Sequence, residues 1–277
     1  MSETAYKTQY RDEFIAGFEK RQALSRHTCV TEADVDGNSA VFLVADSGGA
    51  SAVTRGVNGD IPTRGDNNTQ NTCTLEEWHD VVEKTNFNVM SSQGNQRALM
   101  QQTTMSVINR KIDEQIRTEL ATATVTWGAA AAATLTLVTK AKTILANNFA
   151  LRDAPIYALI TPAFHGYLMG LNQFTSADYI ADKKFEGVSM DQAFSWYGVN
   201  WIVDADLAGA GTASATCFMF SQNAIGHAAH MDGVETDIGY DGKNAKSWCR
   251  ATVHMNAKLL QNSGVIKMLH DDSALSA

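Results

Sequence analysis

The sequence predicts an α+β fold, and three observations carry that prediction. Met105, Ile108, Ile112, Ile116 and Leu120 recur at helical spacing, with charged residues around the rest of the turn. Residues 247–257 alternate strictly, placing Cys249, Ala251, Val253, Met255 and Ala257 on one face and Trp248, Arg250, Thr252 and His254 on the other. Between residues 135 and 230, helix and strand patterns take turns. With 277 residues, 44% of them hydrophobic, the chain can fill a proper core, so disorder is excluded as its main state.

From the N-terminus, Tyr6, Tyr10, Phe14 and Phe18 follow at steps of four, with Ile15 beside them and Lys7, Arg11, Asp12, Glu13, Glu19 and Lys20 elsewhere around the turn. That is an amphipathic helix with an aromatic stripe. It precedes any domain core, so its apolar face must dock on a later part of this chain or on another subunit. From 37 to 74 the texture changes to short alternating strands, such as 40–45, broken by Gly48, Gly49, Gly56, Gly59 and Gly65 and rich in Asn, Thr and Asp. A polar hairpin this long, with few large apolar side chains, does not stabilise itself and is expected to lie against something else. Asp34-Val35-Asp36-Gly37-Asn38 starts like a calcium loop, but its glycine comes two positions early and no glutamate closes it, so it reads as a turn. Arg64-Gly65-Asp66 matches an integrin-type tripeptide and reads as a glycine turn flanked by opposite charges.

A long helix follows from residue 92 to about 123, roughly 45 Å at ~1.5 Å per residue. Arg110/Glu114 and Asp113/Arg117 are spaced to pair at i,i+4 on its outer face. No charge lies between Glu119 and Lys140, yet six threonines, Gly128 and an alanine run make that stretch too weakly apolar to span a membrane. It reads as a loop and a helix start. Next come a helix over 138–149, a strand over 156–160 and a helix with Thr161 as N-cap and Pro162 at its first position. Strands over 199–203 and 217–220 follow, and after the Asn262-Ser263-Gly264 turn a last strand covers 265–269. Lys140, Lys142, Lys183 and Lys184 lack interleaved aromatics and read as a solvated face, not a nucleic-acid groove.

Twenty-two Lys and Arg against thirty Asp and Glu leave a net charge of −8, the wrong sign for a protein that grips phosphates tightly. Cys29, Cys73, Cys217 and Cys249 form neither a CxxC pair nor a compact cluster, which points to a reducing compartment. Charges interrupt any N-terminal secretory signal, and the expected location is the cytoplasm. No phosphate loop, nucleophile elbow, zincin helix or dinucleotide fingerprint is present. The nearest metal-like set is His227, His230 and Asp232, with His254 downstream, and two histidines three apart are more often surface or subunit-contact residues. No catalytic residue, cofactor or metal is expected.

Three passages, taken with the order of elements, carry a resemblance. They are Gln22-Ala23-Leu24-Ser25-Arg26 leading to Val35-Asp36-Gly37; Leu75-Glu76-Glu77-Trp78-His79-Asp80-Val81-Val82-Glu83 with Asn86-Phe87; and Asn109-Arg110-Lys111-Ile112-Asp113-Glu114. The ending from Asn256-Ala257 to Gly264-Val265-Ile266 is a fourth, weaker match. Together these resemble the major capsid protein of tailed double-stranded DNA bacteriophages, the Hong Kong 97-like fold, and the wording is closest to the phage capsid protein family. The resemblance implies an N-terminal arm over 1–36, an E-loop over 37–74, a P-domain with the spine helix over 75–123 and 236–277, and an A-domain over 124–235.

It also implies copies of the chain closing into hexamers and pentamers of an icosahedral shell, with portal, scaffold and decoration proteins as partners, weak non-specific contact with packaged DNA, and no membrane. Tyr6, Tyr10, Phe14, Phe18, Arg55, Asp60, Arg64 and Asp66 are the expected inter-subunit contacts, while Met105, Ile108, Ile112, Ile116 and Leu120 form the P-domain core. The arm begins almost at once, so a scaffold is expected to act in trans. No lysine lies between Lys20 and Lys84, so the E-loop has none for the lysine–asparagine cross-link known in part of the fold family, and the shell is expected to be held non-covalently. Two rival readings are an encapsulin-like compartment and a metal-dependent α/β enzyme using His227, His230 and Asp232.

Overall fold

A computed structural model describes residues 23–91, 95–152, 154–175 and 193–275. Its first sheet runs in the order β1 (Val30–Val35), β9 (Ile225–Asp241), β10 (Lys246–Leu259), β4 (Glu76–Thr85). Of these pairings β1–β9 is parallel and the others antiparallel. The second sheet has five strands in the order β11 (Val265–His270), β8 (Ala215–Ser221), β5 (Ile156–Ile160), β7 (Val199–Val203), β6 (Ala193–Trp196), with β5–β7 its parallel pair. A separate two-stranded ribbon pairs β2 (Ser39–Asp46) with β3 (Asn67–Thr74). The helices are α1 (Asn86–Ser91), α2 (Gln96–Ala121), α3 (Leu135–Asn147), α4 (Pro162–Met169) and α5 (Asn172–Thr175).

Helix α2 has 26 residues, about 39 Å at the usual rise. It starts where Asn95 accepts the Ala98 N–H at 3.2 Å, supplying one of the donors that a helix start leaves unpaired. Ile108, Ile112, Ile116 and Leu120 are buried and Met105 half-buried, and the helix lies along β10. Strand β10 meets it with Cys249, Ala251, Val253, Met255 and Ala257, all buried. Each large aliphatic side chain removed from water contributes about 1.5–3 kcal/mol, so this contact sets the body of the subunit.

The second sheet carries an aromatic interior. Trp127 stacks on Phe164 at 6.1 Å between ring centroids, and Phe164 meets Trp201 at the same separation. Thr161 accepts the Phe164 N–H at 3.2 Å, and Pro162 sits where a missing N–H costs nothing, so α4 begins at this dipeptide. Asp272 ties the chain end to the same place. Its carboxylate accepts from the Thr161 hydroxyl at 3.0 Å, the Gly211 N–H at 2.9 Å and the His270 ring, whose Nε2 accepts the Ala133 N–H at 3.0 Å. A buried charge held by several donors is satisfied, whereas one left bare would be costly.

The structure corrects several expectations. Asp113 and Arg117 are not an exposed pair: Asp113 is buried and accepts the Ser25 N–H at 3.0 Å, while Arg117 reaches Asp204 at 2.6 Å. Lys111, rather than Arg110, pairs with Glu114, at 2.9 Å. The helix is covered here by the turn Ser25–Thr28 and by the end of β7, so its charges need partners out of the solvent. Lys140 donates to the Trp127 carbonyl at 2.6 Å, and Lys142 to the Tyr197 carbonyl at 2.5 Å, so these two are not a freely solvated face. Partial burial also depresses the Lys142 pKa. Lys183 and Lys184 lie outside the described residues. Helix α3 starts earlier than expected, capped by Thr134, and ends before Phe149, whose φ is +60°.

Strand pairing joins segments far apart in the chain. Strand β9 runs through 235 and 236, β11 pairs in the five-stranded sheet and β1 in the four-stranded sheet. Backbone groups need ladder partners, and β11 finds them in β8 from Val265–Phe220 to His270–Ala215.

Candidate functional site

Among the described residues, the β2–β3 ribbon and the loop between its strands lie outside the main core cluster. Alternation along β2 turns Ala40 and Phe42 inward and Val41 and Leu43 outward. The base is anchored in a small apolar cluster of Val35, Ala40, Cys73 and Ala228, with Phe42 and Leu75 packed on it. Phe42 lies against Gly226, where a Cβ would come within 2.9 Å of the ring, so that position has no room for a side chain. Beyond the base the chain has little to hold it. Val41, Leu43, Val53, Val57 and Ile61 are exposed.

The four loop charges expected at subunit contacts are all exposed. Arg55 donates to the Gly59 carbonyl at 3.0 Å, closing a turn in which the Gly56 N–H also bonds the Asp60 carbonyl at 3.0 Å. Arg64 lies 3.9 Å from Asp66 and donates to the Ser47 carbonyl at 3.5 Å. At these exposures the charge pair contributes at most about 1 kcal/mol, and the loop is shaped by its own turns. Tyr6, Tyr10, Phe14 and Phe18 lie outside the described residues.

The metal-like histidines do not converge as a set. His227 is buried on β9, and burial, reinforced by the Arg26 charge, pushes its pKa down to about 4. His230 is three residues further along the strand, with its ring 5.9 Å from that of His254 on β10. No described trio of His, Cys, Asp or Glu is arranged as a ready-made metal cage. The strand register does assemble a group that sequence reasoning missed. Glu77 lies opposite His254 and His79 opposite Thr252, because β4 and β10 are neighbours 170-odd positions apart in sequence, and no local pattern announces such a meeting.

All four cysteines are buried free thiols, and burial pushes Cys29 and Cys217 up to about 12 and Cys73 to about 11. They are packing residues, unreactive at neutral pH. Among the described residues no helix is long and apolar enough to cross a membrane.

Comparison with known proteins places this architecture. No curated protein sequence matches the chain. Solved structures do: Mycobacterium phage Che8 at 12% identity and a TM-score of 0.72, covering 97% of this chain and 98% of that one. The capsid of the native GTA particle matches at 12% identity and a TM-score of 0.70, covering 97% and 96%. The Cyanophage Pam1 capsid asymmetric unit matches at 11% and 0.68, covering 99% and 98%. At such identities the likeness is one of fold, the Hong Kong 97-like α+β architecture. The family described as phage capsid protein matches residues 3–272, nearly the whole sequence, and the chain belongs to that family.

Proposed function

We propose that this chain is the major capsid protein of a tailed phage, assembling into hexamers and pentamers of an icosahedral shell around double-stranded DNA. Membership of the capsid family places it in the virion shell as a structural protein. The observation that carries the assembly reading is the β2–β3 ribbon. Its base is seated in the core while Val41, Leu43, Val53, Val57 and Ile61 stay exposed, so its burial is completed by a neighbouring copy. Repeated head-to-tail contacts of that kind close into rings when the rotation allows.

In this reading residues 1–36 are the N-terminal arm, 37–74 the E-loop, 75–123 with 236–277 the P-domain carrying the spine helix, and 124–235 the A-domain. Arg55, Asp60, Arg64 and Asp66 set the register of the contact rather than its strength. The net charge of −8 keeps any touch on packaged DNA weak. The hairpin's lack of lysine leaves the shell to non-covalent contacts, portal, scaffold and decoration proteins act as separate partners, and assembly takes place in the host cytoplasm. Sedimentation and negative-stain imaging of the protein, expressed alone and with a co-expressed scaffold, test the reading. Closed particles of uniform size are expected; a small species under both conditions would overturn it.

A further inference from the structure

Helix α2 covers only part of the sheet face it packs on. The ladder sets Val234, Thr236, Ile238 and Tyr240 of β9 opposite Val253, Ala251, Cys249 and Ser247 of β10, so all four stand on the α2 side. The β10 member of each pair is buried, yet Ile238 is 47% and Tyr240 52% exposed. Helix and strand run in opposite directions: Glu119 accepts the Leu259 N–H where Leu259 pairs Ile225, and Lys84 donates to Gln96 in the row that ends at Tyr240. Met105 is half-buried, while Gln101 and Ala98, one and two turns earlier on the same flank, are exposed. Between this flank and β9 lies a trough. Strand β1 pairs with β9 only from Gly226 to His230, so the far edge of β9 beyond that has no strand partner among the described residues.

The trough deepens at one end into an open cleft of about 540 Å³ bounded by Leu24, Met105, Asn109, Ile112 and Val234. Ala23, where the description of the chain begins, lines the same cleft. We propose that in the unassembled subunit residues 1–22 of the same chain fill this trough as an amphipathic helix, their aromatic stripe turned onto β9 and the flank of α2.

Length, order and tethering favour that occupant. From Phe18 back to Tyr6 a helix advances about 18 Å, and the six steps from Val234 to Tyr240 cover about 20 Å. Leaving the cleft at Ala23, the chain brings Phe18 and Phe14 first, next to the apolar Met105 and Val234. Tyr10 and Tyr6 come later, toward the open end, where a hydroxyl keeps its water. Lys7, Arg11, Asp12, Glu13, Glu19 and Lys20 lie around the rest of the turn and stay in solvent. Because residue 22 follows the cleft directly, the segment is present at an effective concentration on the order of millimolar, which a second copy in dilute solution does not match.

Hydrogen exchange on the full-length unassembled subunit tests the contact from both sides, and its rates do not depend on whether shells form. Amides of residues 6–18 should exchange more than tenfold slower than in an unstructured chain. Ile238→Lys, a change at an exposed position, should return them to the free rate, whereas Met169→Lys, equally exposed but on α4, should not. The double variant Phe14→Ser with Phe18→Ser should speed exchange over 98–105 and 234–240 severalfold. Exchange over 112–120 should match the parent in every variant, which separates undocking from unfolding. Free-chain rates at 6–18 in the parent, protection that survives Ile238→Lys, or an unchanged 234–240 in the double variant would overturn the proposal. Protection of 6–18 that falls on dilution would overturn it too, by making a neighbouring copy the occupant.

Discussion

Replacing Arg117 by alanine removes the joint between the long helix and the five-stranded sheet. Its guanidinium is 13% exposed, the Asp204 carboxylate 4%, and the two meet at 2.6 Å; Asp206, half-exposed and 3.7 Å away, contributes little. Had Arg117 paired with Asp113 on the solvent side, as helical spacing suggests, the loss would be a few tenths of a kcal/mol. Here the alanine variant leaves a buried carboxylate, still accepting the Asp206 N–H at 3.0 Å, without its guanidinium, and removing one partner of a buried pair typically costs about 3–5 kcal/mol. Much of that loss is the uncompensated Asp204 charge, so the double variant Arg117→Met with Asp204→Leu should recover a large part of it. Urea unfolding of the unassembled subunit, followed by tryptophan fluorescence, gives both numbers without a contribution from lattice contacts. A cost for Arg117→Ala below about 1 kcal/mol, the range of exposed pairs, would refute the reasoning.

Four other outcomes are expected. His227 refuses a proton down to about pH 4, whereas the unfolded imidazole accepts one near 6.5, so stability is full above pH 6.5 and falls as pH drops toward 4. The decline should be on the order of 3 kcal/mol, and a His227→Leu variant that shows the same acid slope would count against it. Ile112→Asp sets a charge against the sheet at a position 3% exposed and should abolish soluble expression; an equally soluble variant would mean that this face has been misassigned. Deleting residues 1–24 should leave a folded subunit that fails to assemble, which normal-sized shells in sedimentation would contradict. In hydrogen exchange, residues 47–66 should exchange fast in free subunits and slowly in shells; equal protection in both states would contradict the E-loop assignment.

Elements were legible in the sequence where one physical constraint dominates. Strand β10 alternates visibly because α2 dries one of its faces, and the stripe from Ile108 to Leu120 is plain because a single side of α2 meets the sheet. Thr161-Pro162 announces α4 through capping chemistry that needs no tertiary partner. Strand β4 is the opposite case. Trp78, Asp80, Val82 and Lys84 turn inward and Glu77, His79, Val81 and Glu83 outward, so both faces mix polar with apolar residues and no period of two stands out. Strand β9 is obscured by small residues and by a register shift opposite 253–255. The partners of Arg117 and of Glu77 were out of reach for another reason: Asp204 lies 87 positions from Arg117 and His254 lies 177 from Glu77. Such meetings are decided by packing and register, about which a local window carries no information.

Strand β10 is bonded on both sides from 246 to 255, on one side to 259, and is backed by α2, which makes it a beam. Its ladder bonds lie across the strand, so a pull along it loads many of them in parallel instead of peeling them one by one. At about 3.4 Å per residue its 14 residues reach ~48 Å, longer than the helix behind it. A subunit with so stiff a member does not bend evenly under load. Strain from a growing or pressurised shell is shunted into what the beam does not brace, above all the 47–66 loop beyond the anchored base of the β2–β3 ribbon. Compliance and strength are thus assigned to different stretches of one chain, and length changes in the 47–66 loop would retune the first without weakening the second.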